Sequence, residues 1–377
     1  MKRAMVWLAV VAAGLLAFVR EAASAAADGG ATGRAEWLES WRRSNPVWRG
    51  VHLLVRHEGG ARELQKALPS LKAAGINVVI AEVNYGYAFE SHPELRSDGA
   101  ISKERAKALA EECRRLGIRL IPQFSSLGHQ SWAGTTFPLL TRYPELDETP
   151  GQYPGNKDIY CRSWCPQHPR VNGIVFQLMD EILAGFEADA FHVGLDEVFL
   201  LASEHCSRCR GGKPEELFAK AVNDYHAHLV GTRKVEMLMW ADRLIDATRF
   251  GYGEWEAAKN GTAPAINRIP KDIILCDWHY EPLAKYTGKP SDYASIPYFL
   301  EQGFRVWPCG WKNVDSTRAL ATSALKHRSP RLLGHLCSTW GAVGVNELAT
   351  WPPLVAAMEL WKDGVRSDGA TDGRSSD

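Results

Sequence analysis

The sequence lacks an excess of either charge. Its 44 lysines and arginines balance 44 aspartates and glutamates over 377 residues. That balance argues against nucleic acid or an anionic membrane surface as the main partner. No G-x-G-x-x-G or Walker pattern follows a strand-like run, so the usual signature of an open, doubly wound nucleotide-binding sheet is missing. Beyond the N-terminal segment no apolar run is long enough to cross a bilayer. No internal repeat is visible beyond an alternation of strand-like and helix-like stretches.

What the chain has in quantity is tryptophan, with 14 residues. Indole faces pack well on the apolar faces of sugar rings, but they also fill cores, so the count alone only favours carbohydrate. The first residues read as a processing segment. Met1-Lys2-Arg3 is basic, Val6 to Val19 is apolar, and Ala23-Ser24-Ala25 or Ala25-Ala26-Ala27 offers small-residue cleavage. Residues 1–27 are therefore expected to be a secretory signal peptide, with an uncleaved anchor as the alternative. The mature protein is expected to be secreted or periplasmic, with no stable membrane span. Residues 28–45 form a polar lead-in, and the polar tail over 363–377 is expected to be disordered.

Between them, strand-like and helical patterns alternate. Strand signals lie at 49–56, 76–83, 118–124, 191–198, 235–240, 273–278, 304–307 and 332–340. Helical periodicity marks 61–74, 103–116, 171–186, 214–229, 293–302, 316–326 and 347–361. Eight strands with intervening helices predict an α/β fold: a (β/α)8 TIM barrel forming a single catalytic domain over 46–362. The long connection over 125–170 is rich in Pro, Gly and aromatics and is expected to shape a site.

The fourth strand signal is the most informative. Phe191-His192-Val193-Gly194-Leu195-Asp196-Glu197-Val198 is an apolar run that ends in two adjacent acids. Strand alternation sends Asp196 and Glu197 to opposite faces, so both serve one pocket only if the strand ends and the chain turns. Neighbouring carboxylates oppose each other's ionisation, so one can act as an acid while the other stays charged. The plainer reading is a helix N-cap with an acidic first turn. Other strand ends also carry polar or aromatic residues: His129, then Trp240 with Asp242, Trp278 with Tyr280, Trp311 and Trp340. In a barrel these ends ring one mouth, and successive tryptophans there suit the walls of a sugar pocket.

The eight cysteines include two close pairs, Cys161/Cys165 and Cys206/Cys209, in expected loops beside the site. Disulfides, free thiols and a zinc knuckle completed by His168 or His205 all remain open. Cys276, Cys309 and Cys337 lie in strand signals and read as core.

In these features the chain resembles glycoside hydrolase family 20, the β-N-acetylhexosaminidases, from about Trp48 to Gly341. The motifs are Trp48-Arg49-Gly50, Gly99-Ala100-Ile101-Ser102, Ile121-Pro122 leading to Gly128-His129, and His192-Val193-Gly194-Leu195-Asp196-Glu197. The resemblance implies that Glu197 protonates the leaving oxygen and later activates water. It implies that the substrate's 2-acetamido oxygen is the nucleophile, held and electrostatically supported by Asp196. It also implies that Arg49 grips sugar hydroxyls, that Tyr280 bonds the acetamido oxygen, and that Trp240, Trp278 and Trp340 enclose the sugar. His129 and Trp311 complete the expected binding set. No cofactor and no metal at the site are implied, and the expected partner is a 2-acetamido-sugar glycan. The pattern departs from the family at Leu195, which replaces a glycine. Asn84 stands where an acid is usual, with Glu82 nearby, and Ala342 replaces a hydroxyl-binding glutamate. These departures keep two alternatives in view: a catalytically silent carbohydrate-binding barrel, and a related acetamido-sugar hydrolase with another linkage or internal cleavage.

Overall fold

The structure, a computed structural model, describes residues 33–362. The expected signal peptide over 1–27 and the tail over 363–377 lie outside the described residues, as does the first part of the lead-in. The chain divides into two compact units with the boundary between Pro46 and Val47. In the first, residues 33–44 form a helix on which Trp37 and Trp41 stack with ring centroids 6.4 Å apart.

The second unit is built on eight strands: β1 (Trp48–Leu54), β2 (Val78–Glu82), β3 (Arg119–Ser126), β4 (Ala190–Gly194), β5 (Glu236–Trp240), β6 (Ile274–Trp278), β7 (Arg305–Gly310) and β8 (Gly334–Ser338). Each pairs in parallel with the next, and β8 closes on β1 from Trp48↔Gly334 to His52↔Ser338. This is the closed (β/α)8 barrel that the alternation predicts. A parallel strand covered on both faces reads as a near-continuous apolar run, and every residue of β2, β3, β4, β6 and β8 is buried, polar ones such as Glu82, Arg119 and Asp277 included.

The helices α1 (Glu58–Ala73), α2 (Lys103–Arg115), α3 (Val171–Phe186), α4 (Pro214–His226), α5 (Ser295–Glu301), α6 (Val314–Leu325) and α7 (Pro352–Leu360) form the outer layer. In α1 the residues Ala61, Leu64, Leu68 and Leu71 recur every three or four positions and are buried, the stripe expected of a helix lying on a sheet. Ser102 starts α2 by accepting the Arg105 N–H, the ordinary work of an N-cap. Between β5 and β6, where the sequence predicts no helix, the chain makes short pieces alone: 3-10 segments at Asp242–Leu244 and Ala263–Arg268 and one helical turn at Ala247–Phe250.

The barrel interior is filled by large rings. Trp48 and Trp307 meet edge to face at 5.3 Å. Gly50 makes that possible, because a Cβ there would lie 2.2 Å from the Trp307 ring.

Candidate active site

β4 stops at Gly194 and the chain turns through left-handed backbone, with φ of 69° at Gly194, 72° at Leu195 and 50° at Glu197. No helix begins at the acids, so the N-cap reading does not hold. Gly194 is required on space as well as conformation: a Cβ would sit 2.8 Å from the Ser125 Cα, where the β3–β4 register shifts. Leu195 occupies a conformation that glycine adopts without strain and other residues adopt at a cost, so the departure from the family pattern keeps the turn and adds buried apolar surface. The strained turn is tied down at Glu197, whose N–H donates to Asp242 Oδ2 at 2.9 Å.

The turn delivers both acids to one place. His129 Nε2 lies 3.1 Å from Asp196 Oδ2 and 3.2 Å from Glu197 Oε2. Burial alone would lower the His129 pKa, but Asp196 and then Glu197 outweigh it and hold the imidazole well above its ordinary range, as a cation. The acids therefore do not face each other alone; a positive ring shares one nitrogen between them. Behind them, burial pushes Asp242 up to about 6 against the opposing pull of Arg243, and Asp196 adds to the rise. Asp242 also accepts the Trp278 indole N–H at 3.2 Å, so one buried acid positions the turn and a wall together.

These groups line a cleft of about 840 Å³ at the C-terminal ends of the strands. Trp278, Tyr280, Trp311 and Trp340 form one side. The Trp340 indole donates to the Tyr280 hydroxyl at 2.8 Å, which lies 2.9 Å from Ser338 Oγ, and the Trp311 indole donates to the Thr339 carbonyl at 3.0 Å. Each ring is thereby fixed in orientation. Two expected residues sit elsewhere. Trp240 is fully buried below the cleft, packed against His192, His52 and Trp340 at centroid distances of 4.7, 5.4 and 5.6 Å, so it supports the floor and does not line it.

Arg49 is at the wrong end of the barrel for a sugar ligand. It lies one residue into β1, and its Nε donates to the Gly75 carbonyl at 2.8 Å. The arginine that reaches the mouth is Arg56, just past the end of β1 and paired with Glu82. Asn84 Nδ2 donates to the same Glu82 oxygen at 2.9 Å, Gln123 Nε2 donates to the other at 3.1 Å, and His52 Nε2 lies 3.3 Å from it. Burial favours protonation of Glu82, yet Arg56 and His52 hold it below the ordinary carboxylate range.

Several lining residues carry no signal in the sequence. Tyr160 lies in the long β3–α3 connection; burial first, and then the adjacent Glu197, raise its pKa. Its ring meets Trp255 at 4.7 Å and Trp132 at 5.4 Å, two tryptophans on the rim that are 47% and 55% exposed. Glu256 enters from the β5–β6 connection. Its oxygens accept from the Tyr280 N–H at 2.9 Å and contact His279 Nδ1 at 2.8 Å.

The family model described as "Glycosyl hydrolase family 20, catalytic domain" matches residues 52–362. The chain belongs to glycosyl hydrolase family 20. Solved structures of this family share the fold at low identity. A chitobiase from Flavobacterium johnsoniae superimposes with a TM-score of 0.58 at 19% identity, covering 83% of this chain and 47% of that one. A β-N-acetylhexosaminidase from Bacteroides fragilis gives 0.57 at 14% identity, covering 83% and 65%. An exo-β-N-acetylglucosaminidase from Vibrio harveyi, solved with N-acetylglucosamine, gives 0.55 at 17% identity, covering 83% and 54%. This family 20 chain thus spans between about half and two thirds of those relatives' lengths. A search of curated proteins returns no match. Among the described residues, no helix of this family 20 barrel is long and apolar enough to cross a membrane.

Proposed function

We propose that this family 20 barrel is an exported β-N-acetylhexosaminidase that releases terminal N-acetylglucosamine or N-acetylgalactosamine with retention of configuration, using the substrate's own acetamido oxygen as nucleophile. The observation that carries the reading is how the carboxylates of the cleft are occupied. A two-carboxylate retaining mechanism needs an acid and a nucleophile about 5–5.5 Å apart, on opposite faces of the sugar. Asp196 and Glu197 share one His129 nitrogen and so lie on the same side. Glu82 and Glu256 have both oxygens engaged by protein partners. Glu281, the remaining lining carboxylate, is exposed and paired with Lys285 at 3.2 Å. Among the described residues, then, every carboxylate of the cleft beyond Asp196 and Glu197 is engaged by protein, which supports a nucleophile drawn from the substrate.

Each residue then has one task. Glu197 protonates the leaving oxygen and afterwards takes a proton from water, with the His129 cation 3.2 Å away as its proton partner. Asp196 accepts the acetamido N–H and stabilises the positive oxazolinium as it forms. Tyr280, whose oxygen already accepts from Trp340, donates to the acetamido oxygen and aims it at the anomeric carbon. Arg56, not Arg49, takes sugar hydroxyls beside Glu82 and Asn84. Trp278, Trp311 and Trp340 pack on the ring and the acetamido methyl.

The test is hydrolysis of a chromogenic N-acetylglucosaminide together with inhibition by a thiazoline mimic of the cyclised intermediate. Turnover with tight inhibition, weakened by Asp196→Asn, supports the reading. Sugar binding without turnover would instead leave a silent carbohydrate-binding barrel. Export is tested by the N-terminus of the protein recovered outside the cytoplasm, which should begin near residue 28.

A further inference from the structure

A second cluster of reactive side chains lies outside the cleft. Glu148 and Cys165 come from the β3–α3 connection, and Cys206 and Cys209 come from the β4–α4 connection. All four are buried, and their sulfur and carboxylate ligand atoms lie within 4.8 Å of one another. Cys161, the sequence neighbour that pairs naturally with Cys165 on spacing, is not among them; its Sγ lies 3.8 Å from the Glu197 carbonyl at the active site. Neither His168 nor His205 joins the group.

Two features argue against a plain thiol core. Cys165 Sγ is 3.4 Å from Cys206 Sγ and 3.4 Å from Cys209 Sγ. A disulfide would have to choose one partner and leave the third sulfur unused, whereas the edges of a tetrahedral zinc–thiolate site are about 3.8 Å, from Zn–S bonds of about 2.3 Å. The carboxylate is equally telling. Glu148 Oε1 accepts the Ser203 N–H at 3.0 Å, while Oε2 is buried with no hydrogen-bond partner. A buried carboxylate oxygen without a partner is costly, and a cation held with the three sulfurs would satisfy it.

We propose that Glu148, Cys165, Cys206 and Cys209 bind a structural zinc ion. Three soft thiolates disfavour magnesium and calcium. Four protein ligands with no open position mark a structural site, not a catalytic one. Cys206-Ser207-Arg208-Cys209 supplies the short C-x-x-C arm, and the turn is shaped by the Arg210 N–H donating to the Cys206 carbonyl at 3.0 Å. The ion ties together the two connections that furnish the active site. One carries His129 and Tyr160 and the other begins at Asp196 and Glu197, so metal binding would hold the His129–acid contacts in register.

The full chain, expressed in zinc-supplemented medium and purified without chelator, should contain one zinc per chain by elemental analysis and keep it through dialysis. Exchange for Co(II) should give the intense visible bands of a tetrahedral site and a thiolate-to-cobalt charge-transfer band. Cys209→Ser should lose the metal. Glu148→Gln, which keeps all three sulfurs and guards against a folding failure of the cysteine variant, should retain the charge-transfer band. Its affinity should fall by at least the roughly 10–100-fold that even an outer-shell change costs. Zinc-free protein in which all eight cysteines titrate as thiols after unfolding would overturn the proposal. So would a mass deficit of two hydrogens that maps to Cys165 with Cys206 or Cys209.

Discussion

The two ends of this barrel both set arginine beside carboxylate and use the pairing differently. At the N-terminal end, Arg119 opens β3, Glu236 opens β5 and Arg305 opens β7. Arg119 donates to Asp189 at 2.6 Å and to one Glu236 oxygen at 2.6 Å, and Arg305 donates to the other at 2.5 Å. Burial would raise Glu236, but an arginine on each oxygen brings it down to about 2. At the C-terminal end, one histidine nitrogen is divided between two acids, and Arg56 keeps 45% of its side chain exposed while holding Glu82. The lower charges close on one another and fix the strand ends. The upper charges face a cleft in which a ligand can replace water. That is the division between stability and chemistry expected of the two faces of such a barrel.

The comparison breaks first at Glu197. Glu197→Gln should leave melting nearly unchanged and lower turnover of a substrate with a poor leaving group by about 10²–10⁴-fold, the usual contribution of general acid catalysis. The loss should shrink for a leaving group that needs no proton, and an equal loss on both would assign Glu197 a structural role. The opposite profile is expected at the other end. Glu236→Gln removes the charge shared by buried Arg119 and part-exposed Arg305. Arg119 keeps Asp189, so the cost should be about 3 kcal/mol, the low end for breaking a buried pair, and several degrees in melting temperature. Below its melting range the variant should keep the parent's kcat/KM.

The arginines sharpen the contrast. Arg56→Ala should cost about 1.5–3 kcal/mol of binding, the range for hydrogen bonds to charged groups, seen as a roughly 10- to 150-fold fall in kcat/KM. Arg49→Ala should change stability alone. If Arg49→Ala were the variant that lost sugar binding, the assignment of the two ends would be wrong.

The smallest effects lie in pH. Glu236 has a depressed folded-state pKa, so its stabilisation is complete above the ordinary glutamate value of about 4.3 and is lost as pH falls toward about 2. His129 has a raised one, so its contribution is complete below the ordinary value of about 6.5 and is lost as pH rises through the folded-state value. Melting temperature followed against pH should lose part of its acid limb in Glu236→Gln, with Glu82 and other depressed carboxylates keeping the rest, and part of its alkaline limb in His129→Gln.

These contrasts also separate what the sequence discloses from what it hides. The barrel is legible because buried parallel strands read as near-continuous apolar runs, and the abrupt stop of that pattern at Asp196 marks a mouth. The end of the barrel to which an arginine belongs is not legible in the same way. Arg49 and Arg56 bracket one apolar run, and only the strand direction and the β1–β8 register decide between them. Tryptophan at a strand end likewise leaves its depth open: Trp240 and Trp340 look alike in sequence, yet one is floor and the other wall. Tyr160, Trp255 and Glu256 sit in connections with no period to read. The cysteines mislead for a related reason. Cys161 and Cys165 are four residues apart, but Cys161 lies against the Glu197 carbonyl while Cys165 meets the other loop.

The central claim is that the nucleophile belongs to the substrate. It is tested most directly by hydrolysis rates on an N-acetylglucosaminide and a glucoside carrying the same leaving group, with the anomeric configuration of the first-formed sugar followed by NMR. The expected result is turnover of the acetamido sugar with retention and negligible turnover of the glucoside. Comparable rates on both, or a glycosyl group trapped on a protein carboxylate, would contradict it.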